Sequence, residues 1–384
     1  TCSRHAIFSK LEPPNLQQCK AEQSFISLPT MLSYTDCFYH REIHMKKLGI
    51  IGYRGMVGTV LCQNMAQADD FKDFACHFFS SSHIGKKDPY GQNTKVKDSH
   101  KLDDLLDQDI LICTQGSSYT AKIRPLLQEH NWPGYWIDAA SFLRNDPQST
   151  LILDPVNQDI ILQALDKGIK NFIGANCTVS LLLMAIAPLI KMGLIENIFT
   201  SSYQAVSGAG MGAVQALLAQ TSHLNSHLDQ DASPLEKIKA LTQNQYDQAL
   251  KHPSLEANLA YNVLPFIDEA LENGQSKEDH KAAQETQKIL GLPQALPMDG
   301  FCVRTPTLRA HAQAVEISLK KHLPLEAIAS MLHQWHQDVY LIAPDKKSTL
   351  EALTPLAVSD TLNIHLGRLR TLQHRPNTIG LFTV

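Results

Sequence analysis

From residue 45 to about 176, short apolar runs ending in small residues alternate with stretches of helical spacing. No other feature narrows the fold of this chain as much. "KLGIIG" (47–52) is followed by "MVGTVLCQNMAQ", where Val57, Val60, Leu61 and Met65 fall on one helical face. "FACHFFSSS" (74–82), "DILICTQGSS" (109–118), "YWIDAAS" (135–141) and "NFIGANC" (171–177) repeat the strand-like form. Runs that are apolar throughout belong to strands buried on both faces. Such strands, separated by helices, predict a doubly wound parallel sheet.

After Cys177 the pattern changes. "CTVSLLLMAIAPLIKMG" predicts a strongly apolar helix with Pro188 near its end. "ENIFTSSYQAVSGAG" (196–210) reads as a strand entering a glycine-rich turn, and residues 228–260 are polar and helical in tendency. In "AVEISLKK", Val315, Ile317 and Leu319 alternate with Glu316, Ser318 and Lys320, the period of a half-buried strand. The expected fold is therefore α/β: a Rossmann-like dinucleotide-binding domain over 45–176, then an α+β domain over 177–384 with a largely antiparallel sheet. Residues 1–44 hold three cysteines and show no period. They read as an irregular extension outside the core, with Met45 as the natural start.

A chain of 384 residues, 43% hydrophobic and 19% charged, can bury a sizeable core and divide into two domains. A formal net charge of −4 excludes the clustered basic footprint of a nucleic-acid binder. The eight cysteines, at 2, 19, 37, 62, 76, 113, 177 and 302, form no CxxC pair and no zinc-like spacing with histidine. A reducing, cytoplasmic setting fits, with no metal. No segment has the 18 or so apolar residues of a membrane span, and the start lacks a signal-peptide h-region.

"GIIGYRGMVG" sets Gly52, Gly55 and Gly58 three apart, after a strand and opening a helix. Glycines there let a pyrophosphate approach the backbone, and a helix N-terminus supplies N–H donors. A tight turn without a ligand is the plainer alternative. An NAD site usually has an acid at the end of the second strand. Here that strand ends in Ser80, Ser81 and Ser82, and Arg54 sits in the glycine loop. These groups suit a 2′-phosphate, so the expected cofactor is NADP (NADPH).

Cys177 stands where "GAN" turns into the apolar helix. It is either a small residue at the edge of a core or a nucleophile at a helix N-terminus, where a thiol pKa falls. Acyl-enzyme chemistry would also need a proton carrier. His311, in "TLRAHAQAVEIS", leads into the half-buried strand and is the candidate, with a satisfied core histidine as the alternative.

"IGYRGMVG", "WIDAASFLR", "LDPVNQDI", "GANCTVSLLLM", "YQAVSGAG", "ENGQSKED", "QETQKIL" and "CVRTPTLRAHAQA" follow one another in this order. From Met45 to Val384 the chain resembles the aspartate-semialdehyde dehydrogenase family, most closely the branch of enteric and related proteobacteria. The resemblance implies a homodimeric cytoplasmic enzyme that reduces L-4-aspartyl phosphate with NADPH, releases phosphate, and serves lysine, threonine, methionine and diaminopimelate synthesis. It implies Cys177 as nucleophile, His311 as general acid/base and Gln204 as the residue that orients the thioester. Arg304 resembles the carboxylate clamp and Glu285 the partner of the substrate ammonium. Arg144 and Lys288 resemble the phosphate-binding pair. The cofactor side would comprise Gly52, Arg54, Gly55, Met56, Val57, Ser81, Ser82, Gln115, Ser207, Gly208 and Pro234, the alignment slipping near Pro234.

The match departs at both ends. Family members continue past "NTIGLFTV" with a Gly-Asp-Gln segment and a return helix, so the resemblance implies a fragment. Two alternatives stay open: an N-acetyl-γ-glutamyl-phosphate reductase-like enzyme, whose substrate has no ammonium for Glu285, and an inactive, truncated dimerising relic.

Overall fold

Each apolar run of the first half becomes a parallel strand. The computed structural model describes residues 45–92, 94–373 and 375–384; the extension expected over 1–44 lies outside the described residues. β1 (Lys47–Ile51), β2 (Ala75–Ser80), β3 (Lys97–Asp98), β4 (Ile110–Cys113), β5 (Tyr135–Asp138), β6 (Ser149–Ile152) and β7 (Asn171–Gly174) form one sheet. Its order is β3-β2-β1-β4-β5-β7-β6, and every pairing is parallel. The strand order reverses beside β1, which leaves a crevice at the carboxyl ends of β1 and β4. The very short β3 and the edge strand β6 carried no recognisable run in the sequence.

The glycine loop makes that crevice. Gly52 turns the chain out of β1 with φ of +81°, a left-handed conformation that favours glycine. Gly58 lies in the first turn of helix Met56–Gln67, and a Cβ there would meet the Gly52 carbonyl oxygen at 2.3 Å. The helix can approach the strand this closely only without a side chain at 58.

The second sheet is built from β8 (Ile195–Gln204), β9 (Met298–Arg304), β10 (Ala312–Leu319), β11 (Val339–Leu341), β12 (Ile364–Thr371) and β13 (Thr378–Thr383), in the order β11-β12-β13-β10-β8-β9. It is mixed: β8–β9 and β11–β12 are parallel and the other three pairings antiparallel. Of the polar stretch 228–260, only Pro234–Asn244 and a short turn at Gln248–Leu250 are helical.

The helix Cys177–Lys191 is buried on nearly all sides, as an unbroken apolar sequence requires. Pro188 lacks the N–H that would bind the Met184 carbonyl. That carbonyl instead accepts from the indole N–H of Trp335 at 2.8 Å. Among the described residues nothing covers the opposite face of the second sheet. Phe301 is 61% exposed, Phe199 and Tyr203 each 40%, and the Phe199 and Phe301 rings meet edge-on at 5.8 Å. Among the described residues no helix is long and apolar enough to cross a membrane.

A Gly58→Val substitution drives a branched side chain into the Gly52 backbone. It should lower stability by roughly 1–3 kcal/mol, the usual range for overpacking. A thermal unfolding midpoint equal to wild type would refute the close-approach argument.

Candidate active site

Asn176 joins β7 to the apolar helix and caps it. Its Oδ1 accepts from the N–H groups of Thr178 (2.9 Å) and Val179 (3.2 Å). Its own N–H donates to Glu285 Oε2 at 2.6 Å, and its Nδ2 donates to Glu278 Oε1 at 2.9 Å. With its neighbour held at every polar atom, Cys177 begins the helix in a fixed position.

His311 Nε2 lies 3.1 Å from Cys177 Sγ. Its Nδ1 accepts from the Ala205 N–H at 3.0 Å. The neutral ring therefore carries its proton on Nε2, facing the sulfur. Ala310, just before it, has φ of +62°, a left-handed conformation that costs an alanine roughly 1–2 kcal/mol. Strain of this kind persists where surrounding contacts fix a residue in place. Burial, and then the Arg304 charge, push the His311 pKa down to about 4.

The helix start was expected to depress the Cys177 pKa. The structure gives the opposite balance. Cys177 keeps an exposed face, yet the groups packed round its sulfur strip away water, and this together with the Glu278 charge pushes the thiol up to about 11. Arg144, the Thr178 N–H at the helix start and Arg304 pull it down, but by less. The resting pair is a neutral thiol beside a neutral imidazole.

Parallel pairing of β8 with β9 sets Gln204 opposite Arg304, both buried. Arg304 Nη1 donates to the Ala205 carbonyl at 3.0 Å. Gln204 Nε2 donates to Ser202 Oγ at 3.2 Å and to Glu278 Oε1 at 3.3 Å. Gly208 follows in a short turn, where a Cβ would come within 3.1 Å of both Arg304 Nη1 and His311 Cε1. Gly208 and its neighbour Ser207 thus adjoin the Cys177–His311 pair.

Arg144 reaches the site from the turn after β5. Buried Asp138 holds that turn, accepting from Thr120 Oγ1 (2.6 Å), Ala140 N–H (2.8 Å) and Trp136 Nε1 (3.1 Å). Arg144 Nε donates to the Gly174 carbonyl at 2.9 Å, and its Nη1 meets Glu285 Oε1 at 3.1 Å. Glu285 therefore faces Arg144 and Asn176 at rest. Burial pushes its carboxyl up, and Arg144 opposes this. Lys288 Nζ donates to the carbonyls of Arg144 (2.6 Å) and Asp146 (2.7 Å), which pins the turn.

On the cofactor side, helix Met56–Gln67 starts at Gly55 with no side-chain cap and no acid in its first turn, leaving its N–H groups open to an anion. Met56 is half-buried and Val57 exposed beside it. Arg54 Nη1 lies 3.3 Å from Ser82 Oγ and 2.7 Å from His83 Nδ1, with Ser81 exposed alongside. Gln115 lies in the loop after β4, next to another uncapped helix start at Gly116. Pro234 opens the exposed helix Pro234–Asn244, a position proline takes for backbone reasons alone. Sequence reasoning missed Asn176, Glu278 and His83. The Asn-Cys junction could have flagged Asn176 as a cap; the other two stood among ordinary polar residues.

Family models described as semialdehyde dehydrogenase, NAD binding domain, and semialdehyde dehydrogenase, dimerisation domain, match residues 47–164 and 186–384. Aspartate semialdehyde dehydrogenase from Francisella tularensis is 43% identical over 88% of this chain and 94% of its own, with a TM-score of 0.86. Aspartate semialdehyde dehydrogenase II from Vibrio cholerae is 24% identical over 88% and 92%, with a TM-score of 0.70. The Candida albicans enzyme, solved with NADP, is 18% identical over 88% and 93%, with a TM-score of 0.60. The last two show a shared fold.

A thiol raised from 9.0 to about 11 has roughly 100-fold less thiolate at neutral pH than an ordinary cysteine. The raised value delays ionisation, so iodoacetamide alkylation of Cys177 should still be accelerating above pH 9. A plateau below pH 8 would overturn this electrostatic picture.

Proposed function

This chain belongs to the semialdehyde dehydrogenase family, and on that premise we propose that it reduces L-4-aspartyl phosphate with NADPH to L-aspartate 4-semialdehyde and phosphate, a step serving lysine, threonine, methionine and diaminopimelate synthesis. The observation that carries the reading is the 3.1 Å approach of His311 Nε2 to Cys177 Sγ at a capped helix start.

Cys177 Sγ attacks the acyl carbon and the acyl–phosphate bond breaks. The thiol proton departs with the leaving group, which gives an enzyme thioester and hydrogen phosphate. A dinucleotide held at the Gly52–Val57 loop would supply the hydride that reduces the thioester carbon. His311 donates a hydrogen bond from its Nε2–H to the oxygen as negative charge develops there, and keeps the proton. The C–S bond then breaks with its electrons on sulfur as the carbonyl reforms, and a solvent proton restores the thiol.

The substrate's charges match the site. Arg304 offers a planar guanidinium to the α-carboxylate, and Gln204 orients the thioester. Arg144, with Lys288, receives the phosphate, and Glu285 receives the ammonium. At rest Arg144 and Glu285 neutralise each other. A substrate carrying both an anion and a cation offers each of them a replacement partner, so neither buried charge is left alone.

The residues present fit a dinucleotide. The uncapped helix start at Gly55, framed by Gly52, Met56 and Val57, suits the pyrophosphate. Arg54 with Ser81 and Ser82 suits a 2′-phosphate, and β2 ends without the carboxylate that NAD favours, which supports NADP. Gln115, Ser207 and Gly208 complete that side, while Pro234 keeps its assignment on the resemblance alone. The bare aromatic face of the second sheet suits a second copy of the chain. Among the described residues the cysteines at 62, 76, 113, 177 and 302 are free, which supports a reducing, cytoplasmic setting.

The test is phosphate-dependent reduction of NADP by the purified chain with aspartate semialdehyde, followed at the nicotinamide absorbance. Cys177→Ala should abolish turnover, His311→Ala should cost roughly 10²–10⁴-fold, and NAD should serve far less well. Wild-type-like rates in either variant would sink the assignment. In sedimentation, the wild type should run as a dimer and Phe301→Asp as a monomer; a dimeric Phe301→Asp would move the interface elsewhere.

A further inference from the structure

Glu278 lies in the first turn of helix Lys277–Leu290, inside a run of charges, "KED", that reads as a solvated surface. Its side chain is instead buried and directed at the site. Oε1 accepts from Asn176 Nδ2 at 2.9 Å and from Gln204 Nε2 at 3.3 Å, and Oε2 accepts from Lys281 Nζ at 2.8 Å. Lys281 is shared with Asp268, at 3.0 Å.

An ionised carboxylate accepts hydrogen bonds and donates none. Both amides must therefore turn their NH₂ groups toward Glu278 and their carbonyl oxygens away. For Asn176 this frees Oδ1 to cap Thr178 and Val179, which fixes the helix start and with it Cys177. For Gln204 it anchors the side chain at the end of β8, beside Arg304 and next to Ala205, whose N–H holds His311. Glu285, two turns further along the same helix, grips the Asn176 N–H. One helix thus holds the residue before the sulfur with two carboxylates.

We propose that Glu278 is a positioning residue for the reaction: it sets which way the Asn176 and Gln204 amides face, and so where the sulfur and the acyl group lie. Its charge also acts on the pair. It opposes ionisation of Cys177 and offsets part of the effect of Arg304 on His311. The charged and titratable groups around the sulfur are His311, Arg144, Arg304 and Glu278. Those around Glu278 are Lys281 on its own helix, Arg304 and Cys302 on β9, and Cys177 and His311.

The inference rests on Cys177 being the nucleophile, so Cys177→Ala is run alongside; turnover in that variant would refute the site reading itself. The decisive variant is Glu278→Gln in the full chain. Its amide keeps one acceptor and gains a donor, so a donor must face either the two amides or Lys281, that neighbour must turn, and the charge is lost. We expect kcat to fall roughly 10–100-fold, KM for aspartate semialdehyde to change by less than about threefold, and the iodoacetamide profile of Cys177 to move to lower pH. A purely structural role would not move that profile. Wild-type kcat, or a lowered kcat with an unmoved profile, overturns the proposal. If Glu278→Gln does not fold, Glu278→Asp decides. It keeps the charge and shortens the reach, so a lowered kcat with an unmoved profile supports the proposal, and wild-type kcat overturns it. Failure of both variants to fold overturns it too, since Glu278 would then serve the fold.

Discussion

A helix that is apolar on every side can rest only where protein covers every side. For Cys177–Lys191, which β7 feeds and β8 follows, that place lies on the mixed sheet at β8, β12 and β13, with the helices Asp154–Asp166, Lys277–Leu290 and Leu325–Gln334 over its other sides. Burial of Leu181, Leu182, Leu183, Ala185, Ile186, Ala187 and Leu189 sets the position of the helix, and so the position of its first residue. The sulfur stands at the junction of the two sheets because the rest of the helix cannot leave it. The glycine loop after β1 opens at the carboxyl edge of one sheet, and Gln204 and Arg304 end two strands of the other.

Charge at this junction is balanced locally. Arg144 is matched by Glu285 and Glu278 by Lys281, while Arg304 donates to the Ala205 carbonyl and feels the Glu278 and Glu256 charges. The proton on His311 is placed by geometry: the Ala205 N–H occupies Nδ1, so an imidazolium would set two donors against each other across 3.0 Å. That clash and the low basicity of the ring point the same way, to a histidine that serves as a neutral donor toward the sulfur side. Ala310, in its left-handed conformation, delivers the ring to this spot.

Much of this was legible in the residues because periodicity records burial. The runs at 47–52, 109–118, 135–141 and 171–177 became strands, and "MVGTVLCQNMAQ" became a helix with those ends. The meeting of Cys177 with His311 spans a separation of 134 positions in the chain and could be anticipated only through shared motifs. What stayed hidden has physical causes. A buried carboxylate in a charged run looks like surface, so Glu278 passed unnoticed. Spacing put Glu285 and Lys288 on one helical face, but it could not show that Lys288 binds backbone carbonyls. The raised thiol was hidden too, since sequence displays a helix start but not the desolvation that outweighs it.

The neutral state of Cys177 bears on its chemical durability. Hydrogen peroxide attacks thiolates, and carries an exposed, ionised sulfur to sulfenic acid and then to irreversible sulfinic and sulfonic forms. Cys177 keeps an exposed face, but its proton stays on. The sulfur is therefore open to an approaching molecule while offering oxidants little of the form they consume.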